Sequence, residues 1–374
     1  YGDGQHLAVT AADEYFPQGC PSCSSEWANF GSYLKMPIPA IALDTYGVVG
    51  FSLKFNTLPN DTVSSGMQDD SNNDGMVFFG LGGLGNNQIQ IVAGVRASDN
   101  RMYLKVLDTS VDFTVSTGLS GTNSTKYRGF HNDNNTCTIS SFTPITGTWY
   151  TVEVKYKFST TNGGHVLLYV NGIKVAETAT TIDFVTTYRD AVFLSSVLSL
   201  VTANQASPET VSNPYNEFDD FYMLDSTGSK NTDYLGNYRV RYSYCESDHI
   251  NEGYSNTTPY YTMLYDDDET YYTSIASGQV ETFAMADLTP LGSSTRVRAV
   301  QYNFTTYFEN NNNIRIVPLS EYGGVMHSGF VNEIPASGGG YIYHGIPMES
   351  SINTGLDWTL GEINDAYHGY TIKS

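Results

Sequence analysis

"TWYTVEVKYKFSTTNGGHVLLYVNGIKVAET" (148–178) is the stretch from which the rest of the chain can be read. Tyr150, Val152, Val154, Tyr156 and Phe158 alternate with Thr151, Glu153, Lys155 and Lys157. That is the period of a strand with one buried face and one wet face. Asn162-Gly163-Gly164 then turns the chain into Val166, Leu168 and Val170. Asn171-Gly172, the pair favoured in a two-residue type I′ turn, turns it again into Ile173 and Val175. Three adjacent antiparallel strands follow from these residues alone.

The same alternation recurs on both sides. In "VVGFSLKFN" (48–56), Val49, Phe51, Leu53 and Phe55 oppose Gly50, Ser52, Lys54 and Asn56, and in "NQIQIVAGV" (87–95) Ile89, Ile91, Ala93 and Val95 share a face. "AVFLSSVLSLV" (191–201), the most apolar segment, suits a buried strand or two. Tyr (29) and Gly (35) are abundant; aromatic residues suit pleated sheets and glycine suits tight turns. The chain reads as all-β. No run of about 20 apolar residues is present to span a bilayer.

The organisation expected is an N-terminal extension over 1–35, poor in strand pattern, a β sandwich over 36–245, and a smaller β-rich domain over 246–374. Residues 226–236, "STGSKNTDYLG", are polar and turn-forming; a strand is expected at "YRVRYSY" (238–244), then a loop over 245–259. Strands are expected again at 294–308, 312–319 and 340–346, with "ENNNN" (309–313) as a loop. In "TLGEINDAYHG" (359–369), Thr359 followed by Glu362 forms a capping-box pattern, with Gly369 as the expected helix stop. The opening residue is Tyr1 rather than Met, so a start that is processed, truncated or not traced from its true beginning is expected.

Only 15% of residues are charged and the net charge is −21. A nucleic-acid partner, which requires clustered Lys and Arg, is therefore not expected. The acidic stretch "NEFDDFYMLD" (216–225) is the sharpest site candidate. On a regular strand Asp219 and Asp220 point to opposite faces, while Asp219 and Asp225 share a face about 20 Å apart, too far to share a cation without a bulge. Asp225 reads as the start of an Asx-type turn. Glu217 and Asp219 begin the Glu-x-Asp-x-x-Glu pattern of jelly-roll glycosidases, which set two carboxylates about 5–5.5 Å apart. Phe221 and Tyr222 stand where the second glutamate is required.

The remaining motifs are weaker. "CPSC" (20–23) has no second CxxC, and Cys137 and Cys245 stand apart. "DDDET" (266–270) lacks EF-hand spacing, "GLGGLG" (80–85) sits among strands, and the seven histidines form no HExxH. Sequons at Asn60, Asn123, Asn256 and Asn303 are common in a chain this rich in Asn, Ser and Thr. No catalytic, cofactor-binding or metal residue is assigned, and no cofactor is expected.

The order of "YLKMPIPA…YGVVGFSLKFNTLP", "GTWYTVEVKYKF…GGHVLLYVNGIKVAET" and "NEFDDFYMLDSTGSKNTDYLGNYRVR" resembles the concanavalin A/laminin G-like jelly roll. More narrowly it resembles tailed-phage virion proteins that join this jelly roll to a C-terminal β region. Their counterpart of Gly236-Asn237 is typically Gly-Asp, and their tail is similar to "DWTLGEINDAYHGYTIK" (357–373). The resemblance spans most of residues 30–374. It implies a non-enzymatic structural component of a bacteriophage virion, on the particle exterior, as a capsid decoration, head fibre or tail component. Its implied partners are other virion proteins (major capsid or tail proteins) and copies of itself, with no membrane insertion. Residues 1–35, poor in strand pattern, are expected to pack on a neighbouring subunit or the capsid. The alternative is a carbohydrate-binding adhesin or lectin-like module for host surface glycans.

Overall fold

The alternating segments pair into antiparallel sheets, as their periodicity requires. The computed structural model describes residues 7–10, 26–30, 33–38, 40–59, 75–83, 88–96, 99–112, 137–161, 163–178, 189–202, 215–226, 230–252, 261, 277–289, 295–308, 313–334 and 340–373. The chain divides into two units, Tyr1–Val240 and Arg241–Ser374. "CPSC" (20–23), "DDDET" (266–270), Asn60, Asn123 and Asn256 lie outside the described residues, as does most of "ENNNN".

The first unit is a jelly-roll sandwich. One sheet has the order β1 (Leu7–Thr10), β13 (Tyr215–Asp225), β4 (Tyr46–Phe55), β9 (Trp149–Lys157), β10 (His165–Val170), β11 (Ile173–Glu177). In the other, β2 (Glu26–Phe30) and β3 (Tyr33–Pro37) both pair with β12 (Ala191–Thr202), followed by β5 (Gly75–Gly82), β6 (Gln88–Arg96), β7 (Met102–Asp112) and β8 (Cys137–Ile139). Val49, Phe51, Leu53 and Phe55 of β4 and Val152, Val154 and Tyr156 of β9 meet Phe79, Ile91, Ala93 and Leu104 of the facing sheet. Phe51 stacks on Phe79 with ring centroids 5.7 Å apart. The Asn171-Gly172 turn forms as its residues dictate, with φ of 51° and 76°, both positive as type I′ requires.

Two expectations are corrected below. Within the N-terminal extension 1–35, β1 pairs with β13, while β2 and β3 pair with β12. Its short strands escape a reading by alternation. Residues 238–244 form no strand; pairing begins at β14 (Cys245–Asn251), where a loop was expected. Finally, the faces expected to be wet are partly closed. Gln90 and Val92 on β6, and Ser52 and Glu153 on β4 and β9, are buried although they point away from the core between the sheets.

Within the second unit β14, β15 (Val280–Met285), β21 (Tyr367–Lys373), β17 (Ile314–Tyr322) and β18 (Val325–Ser328) form a sheet, with β19 (Asn332–Ile334) also on β17. β16 (Val300–Phe308) and β20 (Gly340–Met348) pair as a separate ribbon. Helix α1 (Leu360–Asn364) carries the expected capping box between Thr359 and Glu362. It ends at Asp365 rather than at Gly369. Gly369 serves β21 instead, where an added Cβ would fall 1.9 Å from the backbone oxygen of Glu281.

Candidate functional site

The polar face of the first sheet, turned away from the sandwich core, gathers the groups of most chemical interest. One cross-sheet row runs Tyr222, Gly50, Glu153, Tyr169 through the direct pairings of β13, β4, β9 and β10. Gly50 is the gap in that row. A Cβ there would lie 2.1 Å from Cζ of Tyr222, so only glycine lets the ring cross β4. The Tyr222 hydroxyl thereby reaches Glu153 on β9 and donates to its Oε1 at 2.6 Å.

Over this face lies a strap, residues 230–240, held by side chains rather than by a strand ladder. The backbone N–H groups of Leu235 and Gly236 donate to the same Glu153 Oε1 at 2.7 and 3.1 Å. Two successive amides converging on one oxygen form an anion-holding concavity, and φ of 77° at Gly236 is a conformation glycine adopts without strain. Glu153 is 1% exposed, and among the described residues its Oε2 has no hydrogen-bond partner. Lys155 Nζ holds Asp233 at 2.8 Å and sits 4.9 and 5.1 Å from the ring centroids of Tyr46 and Tyr234. Asn237 Oδ1 accepts the Thr151 hydroxyl at 3.2 Å, and Tyr234 packs on Tyr169 with centroids 3.9 Å apart.

The acidic stretch of β13 supplies the last pin. A bulge between Asp219 and Tyr222 breaks the expected alternation, with Asp220 at φ 52°. Asp220 turns its buried carboxylate to Ser52 Oγ (2.8 Å), Arg239 Nη1 (3.0 Å) and the Val240 N–H (2.9 Å). Asp219 Oδ1 accepts the N–H of Asp220, and Asp225 is exposed at the strand end. Glu217 is tied to Lys54 and Asn56, each at 2.6 Å. The three aspartates thus do not converge: Asp219 and Asp220 take separate partners, and Asp225 stands at the far end of the strand. No group of three metal-capable side chains occurs among the described residues. Sequence reasoning missed the role of Glu153 because its partners lie 69, 82 and 83 residues away.

The electrostatics follow from this enclosure. Burial, and then the Glu153 carboxylate beside it, pushes the Tyr222 phenol far above its ordinary value; burial does the same to Tyr234. Burial works to raise Asp233, but Lys155 and the Tyr234 N–H outweigh it and hold the carboxyl below its ordinary 3.8. Elsewhere, burial raises the Cys245 thiol to about 11, leaving it a poor nucleophile. Rings of Tyr46, Trp149, Tyr169 and Tyr222 share the outer face with Lys54, Lys155 and Lys157. Rings beside cations and acceptors can hold a polyhydroxylated ligand by stacking and hydrogen bonds.

No family model matches the chain. No curated protein matches it either. Among solved structures it is similar to an endo-β-1,4-glucuronan lyase from the fungus Trichoderma reesei, at 13% identity and a TM-score of 0.33 over 60% of this chain and 82% of that one. It is similar to the marine PL-14 alginate lyase from Aplysia kurodai, at 12% and 0.32 over 59% and 82%. A third likeness is the receptor binding domain of botulinum neurotoxin C/D mosaic serotype, at 13% and 0.27 over 58% and 42%. The expectation of a non-enzyme is corrected by these findings, since two of the three are lyases. That expectation is withdrawn, and no activity is carried over from proteins this distant.

Proposed function

We propose that the chain is a structural component of a tailed-phage virion, displayed on the particle exterior as a capsid decoration, head fibre or tail component. The supporting observation is where residues 216–240, which carry the resemblance, are placed. They build β13, its Asp220 bulge and the strap, which covers the outer face of one sheet with the chain's own backbone. A sandwich whose sheet is packed on both sides resists local opening, which suits a protein standing on a particle surface. Its partners on this reading are other virion proteins and further copies of itself. Cryo-electron microscopy of the intact particle, with mass spectrometry of the purified virion, tests it. Ordered density for this chain on head or tail is the expected result; its absence from purified particles would overturn the reading.

A second reading is favoured by one observation, the aromatic and lysine-lined outer face of the first sheet. On this reading the chain recognises saccharides of a host surface, with Tyr46, Trp149, Tyr169 and Tyr222 as the stacking platform.

A further inference from the structure

We infer that residues 230–240 are an autoinhibitory strap, a displaceable cover over a saccharide-binding face on the first sheet. The inference rests on the saccharide reading above and adds its control. The manner of attachment carries it. The strap contributes no strand to the sheet: the N–H groups of Leu235, Gly236 and Val240 donate to carboxylates of Glu153 and Asp220. The side-chain pins are Asp233 on Lys155, Asn237 on Thr151 and Arg239 on Asp220. All can part while every ladder of β13, β4, β9 and β10 stays paired.

A ligand is indicated by what the strap covers. Glu153 is 1% exposed beneath it, with three donors on Oε1 and none on Oε2 among the described residues. A structural acceptor at such depth is ordinarily satisfied on both oxygens. Beside it in the same cross-sheet row stand Tyr222 and Tyr169, the latter already packed against the tilted ring of the strap's own Tyr234. Tyr234 thus occupies the place a sugar ring would take, and the amides of Leu235 and Gly236 occupy the acceptor that sugar hydroxyls would use. Strap and saccharide compete for the same atoms, so binding requires the strap to leave.

The test uses the full chain, the single variant Asp233→Ala and the double variant Asp233→Ala with Arg239→Ala. Amide hydrogen exchange over 230–240 is read beside binding to an array of neutral and uronate-containing oligosaccharides. Exchange at Leu235 and Gly236 should quicken by about tenfold or more in the double variant while β9 and β10 keep their protection. Affinity for at least one oligosaccharide should rise by about tenfold over the unmodified chain. Unchanged exchange in both variants would overturn the latch. A loosened strap with no binding by any form would strike the saccharide reading itself. Binding by the unmodified chain as tight as by the double variant would remove the inhibitory role alone. The virion reading is untouched by each outcome, since particle composition decides it.

Discussion

Both units bury glutamates, and Glu153 of the first and Glu362 of the second are held in opposite ways. Glu362 of the second unit draws its donors from close by: Ser351 and Thr354, 11 and 8 residues away, and Thr359, three residues away. Glu153 of the first draws on residues 69 to 83 positions distant. Glu362 can therefore be satisfied as soon as its own helix and turn form. Glu153 Oε1 gains its three donors only after β13 and the strap have assembled around it. The first arrangement closes a local turn, and the second records completion of a fold.

The sharpest way to break this comparison is Glu153→Ala. It leaves the Tyr222 hydroxyl and two enclosed amides without their acceptor, and should destabilise the first unit by about 3 kcal/mol. Thermal unfolding, with exchange assigning the transition to residues 1–240, checks it. A loss confined to the strap would mean that Glu153 holds the cover and not the sandwich. Glu362→Ala should cost about 2 kcal/mol, the worth of a cap plus a buried hydrogen bond.

Acid sharpens the same contrast. Burial works to raise the Glu362 carboxyl, but bonds from Ser351, Thr359 and Thr354 hold it below its ordinary 4.5. A depressed folded value contributes stability above the unfolded value and loses it as pH falls through the folded one. The second unit should lose stability below about pH 4.5, and Glu362→Gln should flatten that part of the slope in a pH series of denaturation midpoints. The smallest effect is expected at Asn237→Asp, which introduces the Gly-Asp pair named in the sequence resemblance. Asn237 is exposed and its Oδ1 already accepts from Thr151, so a change within about 0.5 kcal/mol is expected by the same melt. A larger loss would show that the new charge is felt by the carboxylates beneath the strap.

What the sequence revealed follows the range of each interaction. The hairpins of 148–178, the β4 core face and the Thr359 capping box are written within a few residues, and they were legible. The bulge at Asp220 was not, because alternation carries no sign of a residue that leaves the pleat to meet Ser52 and Arg239. Nor was the burial of Glu153, whose place in the wet half of the alternation is correct locally and is overruled by the strap. Gly50 reads as a small wet-face residue until Tyr222 is seen to lie across it. The non-enzyme expectation rested on missing motifs alone, and side chains brought together from distant strands leave no motif to read.

Gly50 is one of three such places among the described residues. Gly47 faces Tyr156 and Gly94 faces Tyr103 as direct cross-strand partners, each with the tyrosine ring where a Cβ would be. A ring lodged against a neighbouring strand's backbone can rotate about its axis only when the strands draw apart. The three tyrosines are therefore built-in clocks, and their ring-flip rates in nuclear magnetic resonance would time how often the two sheets breathe.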